Sequence, residues 1–170
     1  MPSTKKKPST KNQPLNLHFE STKVVLVTSD DEDRFLTTAR EAARACRAAE
    51  DQKDWSDTFR NFLGYINMRC SELAGSIEAC YVDIGDDGLR VFVATPGEDY
   101  DPSISDKLTE IDIDLATRFP TCPADCVQVP SEPHDSLSSF FSVEHSLKVY
   151  GNLRNASNKS GRKRSLPQND

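Results

Sequence analysis

With three histidines, two methionines, one tryptophan and seven glycines in 170 residues, the sequence has little material for several common kinds of active site. A nucleophilic triad needs a Ser or Cys, a His and an orienting acid brought together. The histidines are His18, His134 and His145. The first lies beside an N-terminal stretch without apolar pattern and the second in a Ser/Pro-rich segment. His134, Asp135 and Ser136 are chain neighbours, which is not the geometry of a relay. There is no Gly-x-Ser-x-Gly elbow, no phosphate-cradling glycine loop and no Cys-x-x-Cys redox pair. No run approaches the ~18 apolar residues of a membrane span, and the N-terminus has no apolar stretch of the signal-peptide type. These absences argue against an ordinary hydrolase, a nucleotide-binding enzyme and a membrane protein; the expected location is the cytoplasm. Active sites assembled from scattered residues escape such tests.

Apolar residues are also scarce, at 36% against roughly 45–50% in an average globular chain. The deficit is uneven. Residues 1–22 carry four Lys against Glu20, a net +3, and residues 151–170 carry five cations against Asp170, a net +4. Neither end has enough apolar surface to offset the entropy of ordering it, so both are expected to be disordered basic tails. Since the whole chain is −6, residues 23–150 hold −13. A single acidic domain of 128 residues is thus expected between the tails, and such a domain repels polyanions.

What that middle region does contain is periodic. Residues 23–28 form a β-branched run, and Ser29 with Glu32 has the spacing of a capping box. Phe35, Ala39, Ala42, Cys46 and Ala49 fall on one helical face. After a polar hinge at residues 50–53, a second stripe runs through Trp55, Phe59, Phe62, Ile66, Cys70 and Leu73, with Gly75 suited to the position just past its end. Residues 77–84 and 89–95 read as strands joined by Gly85-Asp86-Asp87-Gly88 in a hairpin. Asp101-Pro102 opens a third helix with Ile104, Leu108, Ile111, Leu115 and Phe119 in register, and Pro120 ends it. Residues 126–129 form a last short strand, and 130–139 a linker. Phe140, Phe141, Leu147, Val149 and Tyr150 make an apolar segment that docks on the core. The order β-(αα)-β-β-α-β predicts an α+β, ferredoxin-like core with helices on one face of a small antiparallel sheet. The alternative leaves the first strand out of the sheet.

Each candidate site has a plainer explanation. Asp112 and Asp114 resemble paired metal-binding carboxylates, but inside a helical stripe residues i and i+2 point apart, which makes them a solvated face. Cys122 and Cys126 lie four apart, whereas a zinc site commonly uses two close pairs; Cys46, Cys70 and Cys80 stand singly, and all five read as reduced, mostly buried thiols. Glu98, Asp99 and Asp101 lack the glycine and distal Glu of a calcium loop, and favourable charge at a helix start accounts for them. Arg40, Arg44 and Arg47 share one face of the first helix, where they either grip an anionic or acidic partner or pair with Glu41 and Glu50. Lys5, Lys6, Lys7 and Arg162, Lys163, Arg164 are short basic clusters of the kind that contact nucleic acid.

The favoured expectation is a non-enzymatic protein-interaction or regulatory module that holds a protein partner, with no cofactor and no metal. The first alternative is a nucleic-acid-associated protein making weak contacts through its tails. The second is an enzyme whose site lies near Asp86, Asp87 and the loop at residues 98–101.

Overall fold

The computed structural model describes residues 14–21, 24–46, 52–86, 88–97, 99–131, 134–142 and 146–151. Most of both expected tails, including Lys5, Lys6, Lys7, Arg162, Lys163 and Arg164, lies outside the described residues. In chain order the elements are β1 (Leu15–Asn16), β2 (His18–Ser21), β3 (Val24–Leu26), α1 (Glu32–Ala45), α2 (Gln52–Glu72), β4 (Ala79–Gly85), β5 (Gly88–Thr95), α3 (Pro102–Arg118), β6 (Ala124–Pro130), a 3-10 helix (His134–Ser139) and β7 (Leu147–Gly151).

The fold is α+β, as the pattern of elements predicts, but the sheet is not the expected antiparallel one. Five strands line up as β1-β7-β4-β5-β6. The β1–β7 and β5–β6 pairs are parallel, and β7–β4 and β4–β5 are antiparallel. The first expected strand survives as β3 but pairs with β2 in a separate two-stranded ribbon. The strand beside β4 is instead β7, whose Leu147 and Val149 are 0% and 2% exposed. A long strand with two core-facing aliphatics buries more there than a three-residue one could. The terminal apolar segment is therefore an integral part of the sheet.

The folded region also begins before residue 23. Leu15 and Leu17 are buried in the helix-side core with Phe19 packed against it, and backbone bonds from Leu15 and Leu17 N–H to the carbonyls of Ser146 and Lys148 add this segment to the sheet edge. Charge and composition averaged over 22 residues hide this short alternation of apolar side chains.

All three helices lie on one face, where their stripes meet in a single core. Phe35, Phe59, Phe62, Leu63, Ile66 and Leu115 are essentially inaccessible. Rings stack from Trp55 to Phe59 to Phe62, and Phe119 meets Phe62 edge-on at 5.6 Å. The indole Nε1 of Trp55 donates to the Ala39 carbonyl at 3.0 Å, tying α2 to α1 and leaving no buried donor unpaired at that crossing. Ala39 and Ala42 on α1 are 3% and 0% exposed, so small side chains let α1 approach closely. The expected capping box is not formed. Asp31 is the N-cap without a side-chain cap, and its carboxylate accepts from Thr28 Oγ1 instead.

At the hairpin, Gly88 has φ +144°, and a Cβ there would stand 2.7 Å from the Pro123 carbonyl oxygen. Glycine is what lets the turn close onto the α3–β6 connection. The exposed edge of β6 is protected by α3. Asp112 Oδ1 accepts the outward N–H of Cys126 at 2.8 Å, and Pro130 has no N–H to offer. No helix among the described residues is long and apolar enough to cross a membrane.

Candidate functional site: a trench on the open face of the sheet

The face opposite the helices is only partly covered. A small second cluster gathers Ala79, Phe92, Ala94 and Val129 beneath Phe141, with Tyr81 and Leu137 against it. Phe141, just after the 3-10 helix, lies over Tyr81 and Phe92 with ring centroids 5.0 Å away in each case. That aromatic cap closes the middle of the face. Beside it the sheet is open.

The register explains the opening. Ala79 pairs with Gly151 on one side and Ala94 on the other, and Ala94 pairs with Val129. Across three strands the side chains in this row are therefore a hydrogen and two methyl groups. The next row, Lys148–Tyr81–Phe92, carries long side chains. A row of small residues beside a row of large ones leaves a depression, and here it forms a trench of about 670 Å3 floored by Ala79, Ala94 and Gly151. Gly151 has φ +114°, and a Cβ on it would lie 2.5 Å from the Glu78 carbonyl oxygen, so no other residue fits. Leu137 of the 3-10 helix and Ile77 of the α2–β4 turn contribute apolar walls.

Five side chains with polar atoms line the trench: Glu78, Tyr81, Ser131, Lys148 and Tyr150. Ser131 is 2% exposed, yet its hydroxyl has no hydrogen-bond partner among the described residues. A buried hydroxyl left unsatisfied costs about 1–3 kcal/mol, and none of the described residues satisfies this one. Lys148 is half-buried with its Nζ 5.8 Å from the centre of the Tyr81 ring, a cation–π contact. Burial lowers its ammonium pKa from the ordinary lysine value, and the same kind of burial pushes the Tyr81 phenol up. Glu78 also lines the trench but is exposed at its rim.

The residues singled out by sequence fall elsewhere. Arg40 and Arg44 stand exposed on α1, and Glu50, one of the two acids expected to pair with this stripe, lies outside the described residues. Arg44 and Glu41 border a shallow depression against Ile84, Gly85 and Asp86. Arg47 lies outside the described residues, as do Asp87, Glu98 and His145. Asp101 is the N-cap of α3, accepting from Ser103 N–H and Oγ at 2.8 and 2.7 Å. Those bonds, the hydroxyl first, hold its carboxyl below the usual aspartate value.

Asp112 and Asp114 do diverge, but neither is merely solvated. Asp112 caps the β6 edge, while Asp114 accepts from the Tyr65 hydroxyl and sits 3.8 Å from Arg69. All five cysteines are free thiols and four are buried. The thiols of Cys46 and Cys80 are pushed up by hydrogen bonds with Cys122 and Cys70, then by burial, and that of Cys126 by burial, then by Asp112. Thiols pushed up in this way are poor nucleophiles and poor metal ligands, whereas the Cys122 thiol is held below its ordinary value, chiefly by its hydrogen bond with Cys46. Among the described residues no group of three or more His, Cys, Asp or Glu could hold a metal ion.

Nothing in a motif search points to Ala79, Ala94, Ser131 or Lys148. The one available signal is the phase of the strands, which places two alanines among aromatic and β-branched residues on the face away from the helices, and a lysine within the apolar run of residues 147–150. No protein-family model, no curated protein and no solved structure matches this chain.

Proposed function

We propose that the protein is a non-enzymatic interaction module that takes an extended segment of a protein partner into the open-face trench. The observation that carries this reading is the buried hydroxyl of Ser131, without a partner among the described residues, lining a depression floored by Ala79, Ala94 and Gly151. Pockets of roughly 300–1,000 Å3 with an apolar floor and a few placed polar groups are typical of binding sites. Apolar surface extends beyond the trench: Val127, paired with Phe92 on this face, and Phe140, beside the aromatic cap, are 39% and 45% exposed. The trench groups also lack a base–nucleophile pair, which favours binding over turnover. Five thiols without a disulfide suit the cytoplasm.

The test is comparative affinity purification of the full chain. Ala79→Leu, which fills the floor, and Lys148→Glu, which inverts the wall charge, should each deplete the same partner by more than tenfold. A double charge reversal on α1, Arg40→Glu with Arg44→Glu, should leave it bound. The captured complex should also persist at salt concentrations that dissolve contacts made by basic tails to phosphate, whose log affinity on duplex DNA falls by about 0.9 per contact with log salt. Loss of the partner with the α1 variant, and retention with both trench variants, would move the interaction to the arginine face.

A further inference from the structure

The thiols on the helix side of the sheet are not scattered singly, because four of them meet in two pairs. Cys70 lies against Cys80 and Cys46 against Cys122, each pair joined by a thiol–thiol hydrogen bond. The pairs differ in what holds them. Cys70 and Cys80 are 2% and 0% exposed, within a helix and a strand of two packed layers. Cys46 is the C-cap of α1, its N–H bonded to the Ala42 carbonyl at 2.9 Å. Cys122 stands in the turn between α3 and β6, its N–H bonded to the Phe119 carbonyl at 2.8 Å. Thr121 and Pro123 on either side of it are exposed, so this buried sulfur belongs to a surface turn. A helix end and a turn can move enough to bring two touching sulfurs to bonding distance, whereas a helix docked on a strand resists it. The Thr121 side chain adds a second hydrogen bond to Cys122. Together with the bond to Cys46 it favours the thiolate, the form that attacks an oxidant.

We infer that Cys46 and Cys122 form an oxidative modification site, at which hydrogen peroxide converts the two thiols into an intramolecular disulfide. Cys122 Sγ attacks one peroxide oxygen, the O–O bond breaks, and the hydroxide that leaves takes up the proton Cys122 has lost. The sulfur is then a sulfenic acid, and Cys46 Sγ stands beside it. Cys46, whose thiol is pushed up, keeps its proton until this second step. The S–S bond forms, the S–O bond breaks, and the hydroxyl departs with the Cys46 proton as water. Two thiols lose two electrons in all, and one peroxide is reduced to two waters. The new bond ties the end of α1 to the α3–β6 connection, where the Pro123 carbonyl receives the Leu89 N–H and sets the close approach of Gly88. Closing so long a stretch of chain restricts the unfolded state and stabilises the fold. The site lies on the helix side of the sheet and does not depend on the trench.

The test treats the reduced full chain with hydrogen peroxide, blocks the remaining thiols with N-ethylmaleimide at intervals, and maps the digest by mass spectrometry. Peptides holding Cys46 and Cys122 should appear joined, with the intact chain lighter by two hydrogens. Both should escape alkylation about tenfold faster than Cys70 and Cys80, because reactivity follows thiolate character and access. Cys126 is the sharpest control: it is the least buried of the five thiols, yet burial and Asp112 push it up. Exposure by itself would oxidise Cys126 first. The oxidised chain should melt at a higher temperature, and dithiothreitol should reverse the shift. In Cys46→Ser, Cys122 should be trapped by dimedone as the sulfenic acid; Cys122→Ser should abolish both products. Oxidation of Cys126 ahead of Cys122, a link between any other two cysteines, or a Cys46–Cys122 link that forms only in urea would overturn the inference. These outcomes are read on the wild-type chain, so they decide the matter even where a serine variant fails to fold.

Discussion

The two faces of the central sheet are made from the same strands, yet they solve opposite problems. On the helix side, Cys80, Val82, Leu89, Val91, Val93 and Leu147 are each 0–1% exposed beneath three helices. Polar groups at its margins are mostly satisfied, the Trp55 indole by the Ala39 carbonyl and the Asp112 carboxylate by the β6 edge, with Arg69 Nε the exception among the described residues on this side. Cys46, Cys70, Cys80 and Cys122 are buried there as free thiols. On the other side one phenylalanine caps the middle of the sheet, a trench opens beside it, and a buried hydroxyl has no partner among the described residues. A face that is filled and satisfied maintains stability, whereas one left partly empty at a cost in stability is a candidate for contact with something else.

The largest effect should come from breaking the filled face. Leu115→Ala removes a side chain that is 0% exposed and should cost about 2–5 kcal/mol in urea unfolding. A smaller loss would mean that α3 collapses readily into the gap and the helix-side packing is looser than described. Next comes the cap of the open face. Phe141→Ala deletes a ring resting on Tyr81 and Phe92 and should cost about 2–3 kcal/mol, less than a full core truncation because one side of the ring is near solvent. It should also open more of this face and weaken retention of the partner, which a repeat of the affinity purification would report. An effect equal to that of Leu115→Ala would erase the distinction between the two faces.

Asp112 sharpens the comparison at the sheet edge. Asp112→Ala leaves the Cys126 N–H without its acceptor and should cost about 1–2 kcal/mol, while Asp112→Asn, which retains an oxygen there, should cost less. Full neutrality of the alanine variant would return this residue to an ordinary solvated face. Asp101 gives a smaller, pH-dependent signal. Its carboxyl titrates below the ordinary aspartate value in the folded state, so its contribution is present above about pH 4, the unfolded-state value, and is lost as pH falls through the lower folded value. The melting-temperature gap between the wild type and Asp101→Ala should be constant near neutrality and close in acid; a gap that persists in acid would show that charge at the cap is irrelevant.

The smallest effect belongs to the trench. Ser131→Ala should be within about 0.5 kcal/mol of neutral, or slightly stabilising, because the hydroxyl it deletes has no partner among the described residues. A clear destabilisation would show that Ser131 has an internal structural role and remove the main support for the binding reading.

Much of this was visible before the fold was known. The helical stripes through Phe35, Phe59 and Leu115, the hairpin at residues 85–88 and the cap at Asp101 all follow from spacing and turn chemistry, because such features are decided within a few residues of chain. The residues with recognisable chemistry, Asp112, Asp114 and the cysteines, were legible as types but not as roles. Each was assigned by what another segment placed next to it: the β6 edge, the Tyr65 hydroxyl, a neighbouring thiol.

Strand order was beyond the sequence for a similar reason. Residues 23–28 read as a strand and the apolar segment ending at Tyr150 only as a piece docked on the core, and local pattern does not say which will lie beside β4. That was settled by which one buries more against three helices while leaving an edge for Leu15 and Asn16 to join. The trench is the plainest case. Ala79, Ala94 and Gly151 are unremarkable one at a time and 57 residues separate the last two. Only the register that sets them in one row turns three small residues into a cavity, because side-chain volume is local whereas empty space depends on what stands beside it.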